Sequence, residues 1–581
     1  MRGALTILLL SLCGLVHAAG QAVEISVEVS GVEDAQRENV LAFLDIYQYR
    51  DKEVLTEAMI RRMHANAPEQ IRRALMPFGF YRAEVEAGLR RAGDTWQASY
   101  VIRPGPPVRV QSVDVRVHAD AATRELFADL IAEPPVSPGE VLRHEEYEGF
   151  KNALMNRATQ HGYLDAQFSV SRLEVNTDTL NANIELVLQP GPRFYFGEVV
   201  IEQDILDDDF LRRYLEFRPG DPLDFDKLLD LQYALADSEY FSVVQVEALR
   251  EQADEDRRVP IRVHAEPNER TRYTAGIGYG TDTGPRISLG MQRRYVNRRG
   301  HRLGVQTQFS EIETAFSIRY AIPLEDPADE YFQLFAGTIR EELADTESNR
   351  TVLGASRVRT LGDWEQTLYL RAEREDSVLP EETFRTESLI PGASWLKTEA
   401  DSLFYTRDGY KLYFDLHGSG KALGSRTEYL QLHVQAKRIL PLGERWRLLL
   451  RAEAATTLLG DTSRLPVSQR FFAGGDYSVR GYDYNSLAPR DEEGRVIGGQ
   501  YFATGSAEIE YRFANNWAVA GFVDAGNAMN DLDAELRRAY GVGVRWLSPV
   551  GVVRFDVAKP VNPIVEPAIG VEIHISVGPD L

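Results

Sequence analysis

Cysteine, long apolar runs and positive charge are all scarce in this chain of 581 residues. The single cysteine, Cys13, lies in an N-terminal segment that we predict to be removed, so the mature chain has no disulfide or thiolate chemistry. After that segment no stretch approaches the ~18–20 consecutive apolar residues of a membrane helix. The formal net charge of −23 argues against nucleic acid as a partner, because such binding depends on Lys and Arg. These bulk properties fit a soluble periplasmic protein and a membrane-embedded barrel equally well.

Sequence motifs of the common enzyme classes are also missing. The chain has no Gly-x-Ser-x-Gly elbow, no His-Glu-x-x-His pair and no Walker loop, since Gly418-Ser419-Gly420-Lys421 lacks the leading glycine. The glycines of 276–280 open no predicted helix, so they form no dinucleotide site. The ten histidines are scattered without metal-ligand spacing. We therefore expect no enzymatic activity, no catalytic residue, no cofactor and no metal.

The N-terminus has the three parts of a secretory signal peptide. Arg2 supplies a basic start, residues 5–16 form an apolar run, and His17-Ala18-Ala19 ends it with small residues. We predict cleavage after residue 19, with a buried N-terminal helix as the alternative. Leu12 before Cys13 is too large for a lipoprotein cleavage site, so lipidation is not expected. The pattern predicts that residues 1–19 direct export.

The first half of the mature chain repeats. Residues 101–110 read VIRPGPPVRV and residues 187–196 read VLQPGPRFYF, so a strand ends in Pro-Gly-Pro twice, 86 residues apart. A more diverged third copy closes near Pro267. Each copy reads strand, helix, helix, strand, strand, which predicts a small sheet covered by helices. We expect three α+β modules, at residues 22–104, 105–191 and 192–267, with one large α+β domain as the alternative.

From Glu269 onward, segments of about ten residues alternate apolar and polar side chains, as membrane β-barrels do. Sixteen such segments lie between residues 271 and 577, an even number as bacterial single-chain barrels require. A soluble β-sandwich also alternates, but its strands are shorter, about 5–6 residues. We therefore predict that residues 268–581 form an all-β, 16-stranded antiparallel transmembrane β-barrel.

One long loop, from Leu459 to Gln500, is predicted to fold into this barrel. It contains Arg480 before a glycine, and two strands that follow it carry Glu510 and Asp524 on faces predicted to point inward. A planar guanidinium can bridge two carboxylates that would otherwise repel each other. Gly481 would let the loop turn tightly beside the arginine. The alternative is an ordinary solvent-exposed arginine in an extracellular loop.

These residues carry a resemblance to a known family. Val479-Arg480-Gly481-Tyr482 is similar to the loop-six motif of the BamA-like outer-membrane insertase superfamily. Phe522-Val523-Asp524-Ala525-Gly526 resembles its strand-thirteen motif, in which Phe522, Asp524 and Gly526 are the matching positions. Glu510 is the better match to the strand-twelve glutamate of the arginine cluster. Three polypeptide-transport-associated (POTRA) modules favour the TamA family, although the chain ends in Leu581 rather than an aromatic residue.

The resemblance implies a role, a location and partners. Members assemble or help to secrete client outer-membrane proteins such as autotransporters, in the outer membrane of Gram-negative cells with the POTRA modules in the periplasm. The first module, residues 22–104, would bind a TamB-like periplasmic protein anchored in the inner membrane, and outer-membrane lipid would surround the barrel. A two-partner-secretion-type polypeptide transporter, a passive porin and a component of inter-membrane phospholipid transport are the alternatives.

The family opens its barrel sideways, between the first and last strands. In this chain the first strand has glycines on one face, which weaken packing, and prolines that cannot donate a ladder hydrogen bond precede the last strand. We therefore predict a weak lateral seam, or else glycines that only fit a tapered wall. Its predicted residues are Gly276, Gly278, Gly280, Val571, Ile573 and Ile575.

Overall fold

The computed structural model describes residues 24–52, 55–93, 95–402, 405–459, 465–549, 551–563 and 570–578. The predicted signal peptide lies outside the described residues. Within the described ranges, no helix has both the length and the apolar character needed to span a membrane. The chain divides into two compact units, of which the first comprises 1–198, 218–227 and 249–260, and the second the remaining residues.

Two small α+β sheets lie in the first unit. In the first sheet β3 lies between β1 and β2, parallel to β1 and antiparallel to β2, and in the second β6 lies in the same way between β4 and β5. Three helices accompany each sheet rather than the predicted two, because short helices interrupt the connection after the first strand. The elements are β1 (Glu24–Ser30), α1 (Asp34–Phe43), α2 (Asp45–Gln48), α3 (Glu57–Leu75), β2 (Glu84–Ala92), β3 (Thr95–Arg103), β4 (Arg109–Val117), α4 (Ala121–Glu125), α5 (Ala128–Ala132), α6 (His144–Gln160), β5 (Gln167–Asn176) and β6 (Asn181–Gln189).

Helix α3 shows why these segments fold as they do. Its N-cap, Thr56, accepts a hydrogen bond from the Met59 N–H at 3.3 Å, which satisfies one of the free donors of the first turn. Ile60, Ala67 and Ile71 are fully buried, and their spacing places them on one helical stripe against the sheet. Past the end of α3, Gly79 takes a left-handed φ of +87° at the turn that leads into β2.

The third sheet has strand order β7-β9-β8, and its residues are divided between the two units. Its elements are β7 (Tyr195–Glu202), α7 (Asp208–Leu211), α8 (Phe225–Asp237), β8 (Phe241–Ala248) and β9 (Arg258–Pro267). Three three-stranded sheets with helices therefore precede the barrel, as predicted.

The second unit contains one 16-stranded antiparallel sheet in which every strand pairs with its neighbours in sequence. The prediction of sixteen strands is confirmed. They are β10 (Thr271–Gly280), β11 (Gly284–Arg293), β12 (Arg302–Phe309), β13 (Glu313–Pro323), β14 (Glu330–Leu343), β15 (Thr346–Leu361), β16 (Trp364–Val378), β17 (Thr383–Ala400), β18 (Gly409–Ser419), β19 (Tyr429–Pro441), β20 (Trp446–Leu459), β21 (Tyr501–Ala514), β22 (Trp517–Met529), β23 (Arg537–Ser548), β24 (Gly551–Pro560) and β25 (Glu572–Gly578).

The two faces of this sheet differ in chemistry. On β22, Val523 is 57% exposed on the outer face while the neighbouring Asp524 is 2% exposed on the inner one. Aromatic side chains gather at one end of the outer face, where Trp517 stacks on Trp546 with ring centroids 6.3 Å apart. Trp446 lies 4.6 Å from the Tyr511 ring at the same end of the strands. An apolar outer wall edged by aromatic residues is typical of a barrel that spans a membrane.

Residues of the second unit that precede the barrel contact the connection between β11 and β12, residues 294–301. The Asp207 N–H donates to the Arg298 carbonyl at 2.8 Å, and the Arg298 guanidinium returns a bond to the Asp207 carboxylate at 2.8 Å. The Tyr240 hydroxyl donates to the Gly300 carbonyl at 2.5 Å. Because Gly300 has a left-handed φ of +73° and touches the Phe210 ring, a side chain there would not fit.

Candidate functional site

The long loop between β20 and β21, residues 460–500, is here called loop six, and its described residues, 465–500, run against the inner wall of the barrel. Its first described turn, Val467–Gln469, contacts β16 and β18. The Ser468 N–H donates to the Glu375 carboxylate at 3.1 Å, and the Gln469 side-chain oxygen lies 3.0 Å from the Nε2 atom of His417. These contacts are buried or half-buried, so the loop lies inside the lumen rather than above it.

Arg480 lies near the tip of loop six and is held by several carboxylates at once. Its Nε and Nη2 atoms donate to the two oxygens of Asp524 at 2.8 and 3.0 Å, a bidentate arrangement. Nη1 donates to Glu508 at 2.7 Å and to Asp556 at 3.1 Å. The guanidinium carbon lies 3.3 Å from the centre of the Phe522 ring. Nη2 also donates to the Ser506 hydroxyl at 3.2 Å, so all five guanidinium hydrogens have acceptors.

The prediction that Glu510 contacts Arg480 is wrong, because Glu508 occupies that place. Ser506 pairs with Asp524 across β21 and β22, and Glu508 is the next inward position along β21. Glu510 lies four residues from Ser506, a rise of about 14 Å at ~3.4 Å per residue, beyond the reach of the arginine. It binds Arg447 at 2.6 Å instead.

A third arginine, Arg545 on β23, completes the network. It is fully buried and donates to Glu508 at 2.6 Å, to Asp556 at 2.5 Å and to Glu510 at 3.2 Å. Seven ionic side chains therefore form one continuous cluster, here called the arginine cluster: Arg447, Arg480, Arg545, Glu508, Glu510, Asp524 and Asp556. Its three cations and four carboxylates are each hydrogen-bonded to a partner of opposite charge, which is the condition for burying charge at tolerable cost.

The neighbours of Arg480 in the loop are anchored as well. Val479 is fully buried in an apolar cluster inside the barrel. Gly481 has a left-handed φ of +87°, and an added Cβ would lie 3.2 Å from the Ala539 Cβ, so glycine allows a close approach to the wall. The Tyr482 hydroxyl lies 3.0 Å from the Arg538 carbonyl oxygen, to which it can donate. The motif Val479–Tyr482 is thus fixed by packing, backbone and hydrogen bonds together.

Strands β10 and β25 are the two ends of the sheet and face each other as a seam. In the described residues they are joined at one end, where the Thr281 N–H donates to the Ile575 carbonyl at 3.3 Å. The Ile575 N–H donates to the Thr281 hydroxyl at 3.1 Å rather than to a backbone carbonyl. The predicted seam glycines lie on the inner face of β10, between exposed outer residues such as Ile277. Of the other predicted seam positions, Val571 lies one residue before β25 and is exposed, Ile573 is exposed and Ile575 is half-buried.

Three parts of the chain match models of known protein families. Residues 296–580 match the Omp85 superfamily domain. This match includes strands β12 to β25 of the barrel. Residues 26–104 match the POTRA domain TamA domain 1, and residues 194–267 match the surface antigen variable number repeat, a POTRA model. The Omp85 and POTRA matches together support a barrel in the outer membrane with its POTRA domains in the periplasm.

Two relatives and one solved structure resemble this chain along most of its length. It is 24% identical over 431 residues to outer membrane protein assembly factor BamA of Nitratidesulfovibrio vulgaris, covering 70% of this chain and 54% of the relative. It is 23% identical over 501 residues to BamA of Neisseria meningitidis, covering 74% and 62%. The chain thus spans only about half to three fifths of the length of these relatives. The crystal structure of Haemophilus ducreyi BamA lacking POTRA domains 1–3 has the same fold, with a TM-score of 0.66, 18% identity, and coverage of 81% of this chain and 99% of that one.

Sequence reasoning missed several residues of this site. Asp556 and Arg545 come from β24 and β23, and both alternate with apolar neighbours, so their inward direction was readable from the sequence. Their contact with Arg480 could not be predicted from the sequence, because Asp556 lies 76 residues from Arg480 along the chain. His574 of β25 is a further omission, since its Nε2 atom accepts a hydrogen bond from the Gly481 N–H at 2.8 Å.

Proposed function

We propose that this protein assembles client β-barrel proteins into the outer membrane, through the seam between β10 and β25. The observation that carries the proposal is the buried arginine cluster, which pins loop six inside the barrel through Arg480. A passive pore gains nothing from filling its lumen with a loop fastened by three carboxylates. An assembly factor needs such a loop to stabilise the barrel, because its wall must open at the seam while the other strands stay paired.

The seam supplies the proposed working edge. An unpaired strand edge presents free N–H and C=O groups and is a template for adding another strand. β25 is only seven residues long, and its described hydrogen bonds to the β10 edge are limited to Thr281. A client strand that pairs with β10 would replace the weak contact with a full ladder. The glycines of β10 remove side-chain bulk on the lumen side of this edge.

The finer proposal concerns clients and partners. Autotransporters are the proposed clients, and a TamB-like periplasmic protein anchored in the inner membrane is the proposed partner of the first module. The match of residues 26–104 to the POTRA domain TamA domain 1 supports this choice. Deleting residues 22–104 would abolish co-purification of such a partner while leaving the barrel folded, and retained co-purification would contradict this assignment.

A polypeptide exporter of the two-partner-secretion type, or a component of inter-membrane phospholipid transport, would make other demands on the barrel. An exporter needs a continuous path through the lumen, and loop six occupies that path. Single-channel recording distinguishes an assembly factor from an exporter. We expect small and irregular conductance from an assembly factor, whereas large and steady conductance would favour export.

The deciding experiment is surface display of an autotransporter in cells that carry Arg480→Ala, normalised to folded barrel. The matched control is Arg490→Ala in the same loop, since Arg490 donates only to loop carbonyls, those of Gly494 and Ser486. We expect display to fall at least about tenfold in the first variant and to stay unchanged in the second, because Arg480 loses interactions with three buried carboxylates. Unchanged display with Arg480→Ala, at equal amounts of folded barrel, would remove the basis of the proposal.

A further inference from the structure

Three segments that are distant in sequence meet at one end of the seam. The turn after β10 contributes Thr281 and Asp282, loop six contributes Asp476, and β25 contributes His574. The His574 Nδ1 atom lies 2.6 Å from the Asp476 carboxylate, and the two side chains are only 7% and 3% exposed. The Asp476 N–H donates to the Asp282 carboxylate at 2.6 Å. The arginine cluster does not include any of these residues.

The hydrogen bonds determine the protonation of His574. The Gly481 N–H can only donate, so the Nε2 atom that receives it at 2.8 Å must be the unprotonated acceptor. The proton therefore sits on Nδ1 and points at Asp476. The His574 imidazole thus forms two hydrogen bonds from β25 to loop six, one with the Gly481 N–H beside Arg480 and one with the Asp476 carboxylate.

Thr281 extends this tie across the seam to β10. Its hydroxyl donates to Asp476 at 3.1 Å and accepts the Ile575 N–H at 3.1 Å. Its own N–H donates to the Ile575 carbonyl at 3.3 Å. Asp476 therefore accepts hydrogen bonds from both edges of the seam, Thr281 on one side and His574 on the other.

The same side chains include donor types that a divalent cation takes, with ligand atoms of Asp282, Asp476 and His574 within 4.8 Å of one another. A cation does not fit the hydrogen bonds described. On Nδ1 it would occupy the place of the proton shared with Asp476, and on Nε2 it would displace the Gly481 N–H. We therefore interpret Asp282, Asp476 and His574 as a hydrogen-bonded contact between β25, loop six and the turn after β10.

We propose that Thr281, Asp476 and His574 form a latch that holds the seam closed and makes its opening depend on the position of loop six. This inference rests on the proposed function, because it assigns the control of the seam through which clients would pass. In the described residues, direct hydrogen bonds join the two edges only between Thr281 and Ile575, and Asp476 of loop six accepts a further hydrogen bond from each edge. Movement of loop six by about one hydrogen-bond length would break both bonds to Asp476 at once and leave only the Thr281–Ile575 contact to hold the seam.

The test measures closure of the seam without any client. The register of Thr281 and Ile575, continued antiparallel, places Tyr279 beside Val577 on the outer face. Cysteines at these two positions would be the only ones in the mature chain, because Cys13 is the single native cysteine. The full-length protein in nanodiscs is oxidised briefly, and the rate of disulfide formation between the two edges is followed on gels.

Two substitutions of His574 each remove one of its two hydrogen bonds. In His574→Asn the amide can still donate to Asp476 but no longer reaches Gly481, and in His574→Gln the amide oxygen can still accept from Gly481 but leaves Asp476 without its donor. We expect each to slow cross-linking about three- to tenfold, the effect of one buried hydrogen bond on an equilibrium. His433→Ala is the control, since His433 is bonded to Glu453 at 2.7 Å within the barrel wall.

Cross-linking at the parental rate in both His574 variants, with the barrel folded, would overturn the latch. If they fail to fold, Thr281→Val removes the bridging hydroxyl from a turn and must slow cross-linking in the same way; an unchanged rate would again overturn it. The latch and the proposed function fail separately. Slow cross-linking together with normal client display in Arg480→Ala would retain the latch and refute the assembly role.

Discussion

Removing Arg545 is the sharpest test of how the barrel holds its buried charges. In Arg545→Met the aliphatic stem is largely kept, so the cavity is small and the lost charge dominates the effect. Glu508, Glu510 and Asp556 each lose a partner that lies 2.5–3.2 Å away. Two arginines, Arg447 and Arg480, would then face the four carboxylates of the cluster.

The expected cost follows from this imbalance. Breaking a buried ionic network by removing one partner typically costs about 3–5 kcal/mol, whereas an exposed substitution changes stability by less than about 0.5 kcal/mol. Arg374→Met, at an exposed position of β16, is therefore the control. A second variant, Arg545→Met with Glu510→Gln, removes one of the stranded charges and should recover part of the loss.

The measurement is denaturant unfolding in detergent micelles, followed by the folded fraction on semi-native gels. We expect a clearly lower midpoint for Arg545→Met, an unchanged one for Arg374→Met and an intermediate one for the double variant. A loss below about 1 kcal/mol for Arg545→Met would refute the reasoning, because it would mean that the carboxylates are neutral or hydrated rather than paired.

Three further outcomes are expected. Burial, together with the Asp476 carboxylate beside it, raises the pKa of Asp282 to about 6. The folded state therefore holds an extra proton between about pH 4 and 6, and thermal stability should rise as pH falls through 6. Asp282→Asn should lose this rise, and an equal rise in the parental protein and the variant would contradict the assignment. Gly300→Ala should destabilise the contact with Phe210 and increase proteolysis at residues 294–301, whereas Gly304→Ala, with open space at its Cβ, should not. Tyr482→Phe should cost about 1 kcal/mol in barrel unfolding, the value of one hydrogen bond, and no change would place its hydroxyl in water.

The order and extent of the barrel strands were readable from the sequence, because a β-strand in a membrane wall must alternate lipid-facing and lumen-facing residues along its whole length. The inward direction of Asp524 followed in the same way, from Val523 and Ala525 on the other face. The repeats likewise predicted three helix-covered sheets. They did not predict the short helices α2, α4 and α5, because four or five residues are too few to show a helical period.

The partners of loop six were decided only by the tertiary structure. Alternation predicts that Glu508 and Glu510 both face the lumen, but it contains no information on how deep a separate loop descends beside them. The register of β21 against β22 and the depth of Arg480 select Glu508. Arg545, Asp556 and His574 joined the site for the same reason: closing the sheet places strands from the end of the chain next to a loop many residues earlier. Local pattern determines which way a side chain points, and only the closed barrel determines what it meets.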